Sequence, residues 1–99
     1  MRAAKTDGPH AEIRDGLRAL GVFVIDTHRL GNGFPDLVAW SPVARWQLLE
    51  VKMPGGILTD DECKLHDACP GPIWIVLTLK RACQIMGVEV SDEDDASQC

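Results

Sequence analysis

With 99 residues the chain has room for one domain, and a composition of 45% hydrophobic and 25% charged residues excludes a disordered or fibrous protein. The formal charge of −5 argues against a nucleic-acid partner until its placement is read: Glu89, Asp92, Glu93, Asp94 and Asp95 account for five of the fifteen acids, so the body sets ten acids against ten Lys and Arg. No apolar run approaches the roughly 18–20 residues of a membrane span, and Met1-Arg2-Ala3-Ala4-Lys5 lacks the apolar stretch of a secretion signal, so no membrane partner and a cytoplasmic location are expected.

Residues 10–20 read as a helix, because Ile13, Leu17 and Leu20 repeat at helical spacing and Gly21 is a stop. Gly16 and Ala19 flank that stripe and are expected to let the helix lie close to a sheet. Val22–Ile25 is a short strand, and the segment His28 to Pro35, with Gly31, Gly33 and Pro35, is a loop. Asp36–Trp40 and Trp46–Lys52 are the second and third strands. Their five-residue connection is of hairpin length, which makes them antiparallel neighbours.

Thr59-Asp60-Asp61-Glu62 is a capping box, opening a helix over about 60–68 that Pro70-Gly71-Pro72 ends. Leu58 and Cys63 take the positions of a hydrophobic staple. Ile73–Leu77 is a fourth strand whose unbroken apolar pattern predicts burial on both faces. Residues 79–86 form a last helix with Ala82, Ile85 and Met86 inward. A meander of three strands and a helical crossover to a fourth give an α/β fold: a mixed four-stranded sheet flanked by helices. The acidic segment 88–99 reads as a solvated tail that could compete with phosphates for a basic groove.

The cysteines, Cys63, Cys69, Cys83 and Cys99, form no Cys-x-x-Cys pair, so neither a zinc site nor a disulfide framework is expected; the first three read as small buried apolar residues on helices. No Gly-x-x-x-x-Gly-Lys-[Ser/Thr] segment is present, which excludes a nucleotide cofactor held in that way.

The chemistry concentrates in Gly33-Phe34-Pro35-Asp36-Leu37-Val38 and Leu49-Glu50-Val51-Lys52. Period-two geometry puts Glu50 and Lys52 on one face of the third strand, at positions a buried sheet fills with apolar residues. Asp36 opens the neighbouring strand, so two carboxylates and a lysine can converge at adjacent strand ends. Such a set suits Mg²⁺, which takes one or two carboxylates together with water and phosphate oxygens, and Lys52 could orient or deprotonate an attacking water or stabilise the pentavalent phosphorus. The bland alternative is a Pro-Asp turn beside a solvated ion pair of Glu50 with Lys52 on an edge strand.

The same residues spell Pro-Asp…(Asp/Glu)-x-Lys, and over residues 10–87 the chain resembles the PD-(D/E)XK nuclease superfamily. Within it the chain is similar to the small stand-alone VRR-NUC domains and, more distantly, to Holliday-junction resolvases. The resemblance implies a restriction-endonuclease-like αβββαβ core and a single nuclease domain over residues 1–87, ahead of the tail. It implies a metal-dependent DNA endonuclease acting on branched structures such as a junction or flap and leaving a 5′-phosphate, with Mg²⁺ as cofactor, Mn²⁺ as its substitute and a homodimer as the working unit. By the same resemblance Asp36, Glu50 and the backbone carbonyl of Val51 are metal ligands, Lys52 is the catalytic lysine, and Glu12 on the first helix is a further candidate ligand. Where many relatives carry a Gln after the motif, this chain has Glu62, whose capping role suffices to explain it.

His28, Arg29 and Lys64 are candidate nucleic-acid contacts, while His10 and His66 read as structural and the three tryptophans as core or interface. Two other readings stay open: a catalytically silent nuclease fold that binds DNA or a protein, and a phosphohydrolase acting on RNA or a small phosphate ester.

Overall fold

The computed structural model describes residues 4–89; the acidic run 91–98 lies outside the described residues. Helix α1 (Ala4–Ala19) is broken at Gly8, whose φ of 34° and ψ of −135° are not helical, and Pro9 opens the regular part. Strand β1 (Phe23–Asp26) leads through a single 3-10 turn (His28–Leu30) to β2 (Leu37–Ser41) and β3 (Arg45–Val51). Helix α2 (Asp60–Ala68), β4 (Ile73–Val76) and α3 (Leu79–Met86) follow. The sheet order is β1-β2-β3-β4, antiparallel in the first two pairings and parallel in the third, because the α2 segment carries the chain back to start β4 beside β3. No helix among the described residues is long and apolar enough to cross a membrane.

The core lies on one face of the sheet. Ile13 and Leu17 of α1, together with Ala82, Cys83 and Met86 of α3, pack on Val24, Leu37, Ala39, Leu49 and Val76, each of these side chains being buried. Burying an aliphatic side chain of this size contributes roughly 1.5–3 kcal/mol, so this single layer supplies the bulk of the hydrophobic driving force. Ser41, buried at the end of β2, spans the layer by donating to the Met86 carbonyl at 2.7 Å.

Several expectations are corrected. Gly16 faces α3 and not the sheet: a Cβ there would lie 2.5 Å from the Leu79 Cδ2, so the missing side chain permits a helix–helix contact. Ala19 is exposed, and so is Cys63 of the expected staple. Strand β4 is an edge strand with only one covered face, and Ile75 is 48% exposed. The helices do not cover both faces equally. Residues Phe23, Trp40 and Trp46, then Ile25, Val38, Leu48 and Ile73, form two cross-strand rows on the face opposite α1 and α3. Phe23 and Trp46 are each 56% exposed there. The unbroken apolar pattern of β4 thus marks a strand with apolar residues on both faces, one of them open.

Candidate functional site

The loop between β1 and β2 is pinned at its end. Thr27, buried, donates its hydroxyl to the Pro35 carbonyl at 2.7 Å, and its N–H donates to the Asp36 carbonyl at 2.9 Å. One step beyond the Leu37–Leu49 pair, the antiparallel register sets Asp36 opposite Glu50, with both on the face that carries the Phe23 and Ile25 rows. The Val51 N–H donates to Asp36 Oδ2 at 3.0 Å and fixes one edge of that carboxylate. Lys52 is held by its own N–H, which donates to the Val76 carbonyl at 3.0 Å.

Helix α2 closes this end of the open face. Gly33 is the close approach that permits it: its φ is +81°, and a Cβ would lie 2.4 Å from the Asp61 carbonyl oxygen. Thr59 accepts from the Glu62 N–H at 3.2 Å, and Glu62 Oε1 accepts from the Thr59 N–H at 2.9 Å, so the expected capping box is present. The same Oε1 accepts from Lys52 Nζ at 2.9 Å, a second role that the capping pattern alone did not indicate.

Glu50 is the electrostatic centre of the cluster. It is 1% exposed, its Oε2 lies 3.7 Å from Lys52 Nζ, and its Oε1 is buried with no hydrogen-bond partner. Burial first, then the charges of Asp36 and Glu62, push its carboxyl up to about 8. The bond to Glu62 raises Lys52, which is therefore an ammonium at neutral pH. Burial opposes ionisation of Glu62, but the Lys52 ammonium and the Thr59 N–H outweigh it and hold its carboxyl low.

A second group of residues adjoins Asp36. His28 Nδ1 lies 3.0 Å from Asp36 Oδ1, and the His28 N–H donates to Asp26 Oδ1 at 3.1 Å. Asp26 in turn receives Arg14 Nη1 at 2.9 Å and lies 3.3 Å from His10 Nε2, while the His10 and His28 rings stand 4.9 Å apart. His28, read from the sequence as a nucleic-acid contact, thus has one ring nitrogen committed to Asp36, and its ring is 59% exposed. The residues that α1 sends to this end are His10 and Arg14. Glu12, Arg29 and Lys64 are exposed, and among the described residues no hydrogen bond or ion pair joins them to Asp36, Glu50 or Lys52. Asp26 and Arg14 carry no motif in the sequence beyond an acid that closes the apolar run of β1.

Among the described residues no three His, Cys, Asp or Glu side chains form a ready-made metal cage. Glu62 is occupied by Lys52 and its own helix cap, which leaves Asp36 and Glu50. Two carboxylates at adjacent strand ends, one of them with a buried oxygen lacking any donor, fit an ion that completes its shell with main-chain oxygen, water and substrate. Comparison of the chain with protein-family models, with curated proteins and with solved structures gives no match.

Proposed function

We propose that the protein is a metal-dependent phosphodiester hydrolase acting on DNA, with a core of the restriction-endonuclease type. The observation that carries this reading is Glu50: a carboxyl buried opposite Asp36, beside Glu62, with an orphaned oxygen and an ammonium 3.7 Å away. A carboxyl so placed is uncomfortable without a cation, and burying one costs several kcal/mol unless it is compensated. Asp36, Glu50 and the main-chain carbonyl of Val51 would hold Mg²⁺ or Mn²⁺. When bound, the ion would polarise the phosphoryl oxygen and lower the pKa of water.

The chain's own residues do the rest. Asp36 is oriented from both sides, by the Val51 N–H and by His28, so its rotamer is set before substrate arrives. Lys52 is tied to Glu62 and remains protonated, which favours charge stabilisation of the phosphorane over proton abstraction. Its link to the first turn of α2 holds the ammonium beside the strand end instead of leaving it free in solvent. DNA as substrate, and branched DNA in particular, follows from the ordered Pro35-Asp36…Glu50-Val51-Lys52 set and its resemblance to nucleases.

The test is cleavage of labelled four-way junction, flap and linear duplex DNA with Mg²⁺ or Mn²⁺ against EDTA. Metal-dependent cutting that Lys52→Ala abolishes is the expected result. DNA bound but not cut in either metal would overturn the hydrolase and leave a binding module.

A further inference from the structure

The six residues between Lys52 and Thr59 form a short arch beside the carboxylates, and one oxygen closes its foot. Glu62 Oε1 accepts from Lys52 Nζ at 2.9 Å at one end and from the Thr59 N–H at 2.9 Å at the other. Within the arch the Gly56 N–H donates to the Met53 carbonyl at 2.8 Å, with Pro54 and Gly55 at the central positions and Gly55 at a φ of +83°. That is the residue pattern of a type II turn, whose proline and glycine leave it little freedom. A Cβ on Gly56 would lie 3.6 Å from the Cβ and Cδ of Lys52, so the arch rests against the lysine stem.

What this arch presents is apolar. Met53 is 59% and Ile57 83% exposed, and no charged residue stands between Lys52 and Asp60. A lone bare aliphatic side chain needs no explanation, but two on one pinned turn do, since holding them in water contributes nothing to the fold. The loop that meets α2 at Gly33 adds Leu30, 61% exposed. Charge decides which part of a nucleic acid can face the arch. Asp60 and Asp61, exposed just beyond Thr59, repel a phosphate chain, whereas Lys52 before it attracts one. A strand with a phosphate at Lys52 therefore turns its bases, not its backbone, toward Met53 and Ile57.

We propose that the arch is a wedge: Met53 and Ile57 enter between stacked bases beside the phosphate held at Asp36, Glu50 and Lys52. Proteins that kink DNA insert side chains such as Ile, Met and Pro between base steps, and contact with the apolar wedge offsets the unstacking. The Glu62 clamp suits this use, because a wedge separates bases only if its own backbone does not give way. The substrate that fits is DNA whose step at the cut is already open or opens at little cost. Such a step is a branch point, a mismatch or, in intact duplex, a flexible TA or CA/TG step. The proposal rests on the DNA-hydrolase reading of the site and names the element that selects where in the DNA it cuts.

The test pairs cleavage with the fluorescence of 2-aminopurine, a base analogue that brightens when its stacking is lost. Wild type, Ile57→Ser and the double variant Met53→Ser/Ile57→Ser receive a DNA that wild type cuts, fully paired at the mapped cut, and the same DNA with a mismatch there. The double variant is expected to lose about tenfold or more in rate on the paired DNA but less than about threefold on the mismatched one. Its melting temperature should not change, and Ile57→Met should cut like wild type. Equal losses on both DNAs, or none, overturn the wedge and leave the hydrolase standing. Where wild type cuts nothing, the second arm decides alone. There the protein binds a flap carrying 2-aminopurine in the last base pair before the branch, with Ca²⁺ in place of Mg²⁺ to hold the DNA uncut. Brightening that Ile57→Ser abolishes while binding persists supports the wedge, even if the hydrolase reading has fallen. No brightening on binding, brightening that survives in the variant, or no binding at all overturns it.

Discussion

Replacing Glu50 by Gln turns the buried carboxyl into a neutral isostere and should remove the pH dependence that this residue imposes on the fold. In the unfolded chain Glu50 ionises near its ordinary value of 4.5, and in the folded protein near about 8. Below the lower value both states hold the proton and Glu50 costs nothing. Between the two, only the unfolded chain releases it, so stability falls as pH rises; above the upper value the loss is complete. At about 1.4 kcal/mol per pH unit that window has a ceiling of about 5 kcal/mol, of which relaxation and water entry around the ionised carboxylate leave roughly 2–3 kcal/mol. Glu50→Gln in EDTA should therefore melt within a degree or two of wild type at pH 4.5, but roughly 10–20 °C above it at pH 9. Thermal melts of both proteins across that range measure the difference directly, and the common background from Asp15, Asp26 and Glu62 largely cancels. A pH-independent difference, or a variant that loses ground as pH rises, would refute the account of Glu50 as a buried carboxyl burdened by its neighbours.

The remaining predictions concern the parts that position it. His28→Asn keeps a donor near the Nδ1 position and should hold Asp36, whereas His28→Gln places its donor further out; Mn²⁺ affinity measured by titration should fall several-fold only in the latter, and the reverse order would mark His28 as a phosphate contact. Gly33→Ala forces a Cβ into the Asp61 carbonyl at a positive φ and should destabilise by about 2 kcal/mol or more, read from urea midpoints; a neutral result would show that α2 does not sit on this loop. Thr59→Ala removes the acceptor for the Glu62 N–H and should cost about 1 kcal/mol in the same measurement.

The sequence made the elements legible because their punctuation is local. Thr59 and Glu62 spell a capping box, Pro70-Gly71-Pro72 a stop, and the five residues between Trp40 and Trp46 a hairpin, each of which acts within a few residues. The pairing of Asp36 with Glu50 followed from the same local rules, since alternation and hairpin length fix the register. What escaped depends on packing between distant segments. Nothing near Gly16 says that its neighbour is Leu79, and nothing near Ile75 says that its side chain stays uncovered. The second bond of Glu62, to Lys52, joins positions ten residues apart across a Gly-rich loop, beyond the reach of a capping rule. His28 turned toward Asp36 for a similar reason, because the 3-10 turn that aims it has no sequence signature of its own.

The proposed chemistry requires that Asp36 and Glu50 together hold a divalent cation. Isothermal titration of the protein with Mn²⁺ at neutral pH tests this most directly, with Glu50→Gln and Lys52→Ala titrated alongside. Saturable binding to wild type and to Lys52→Ala, lost in Glu50→Gln, is the predicted result. Binding that Glu50→Gln retains in full, or no binding to wild type, would contradict it.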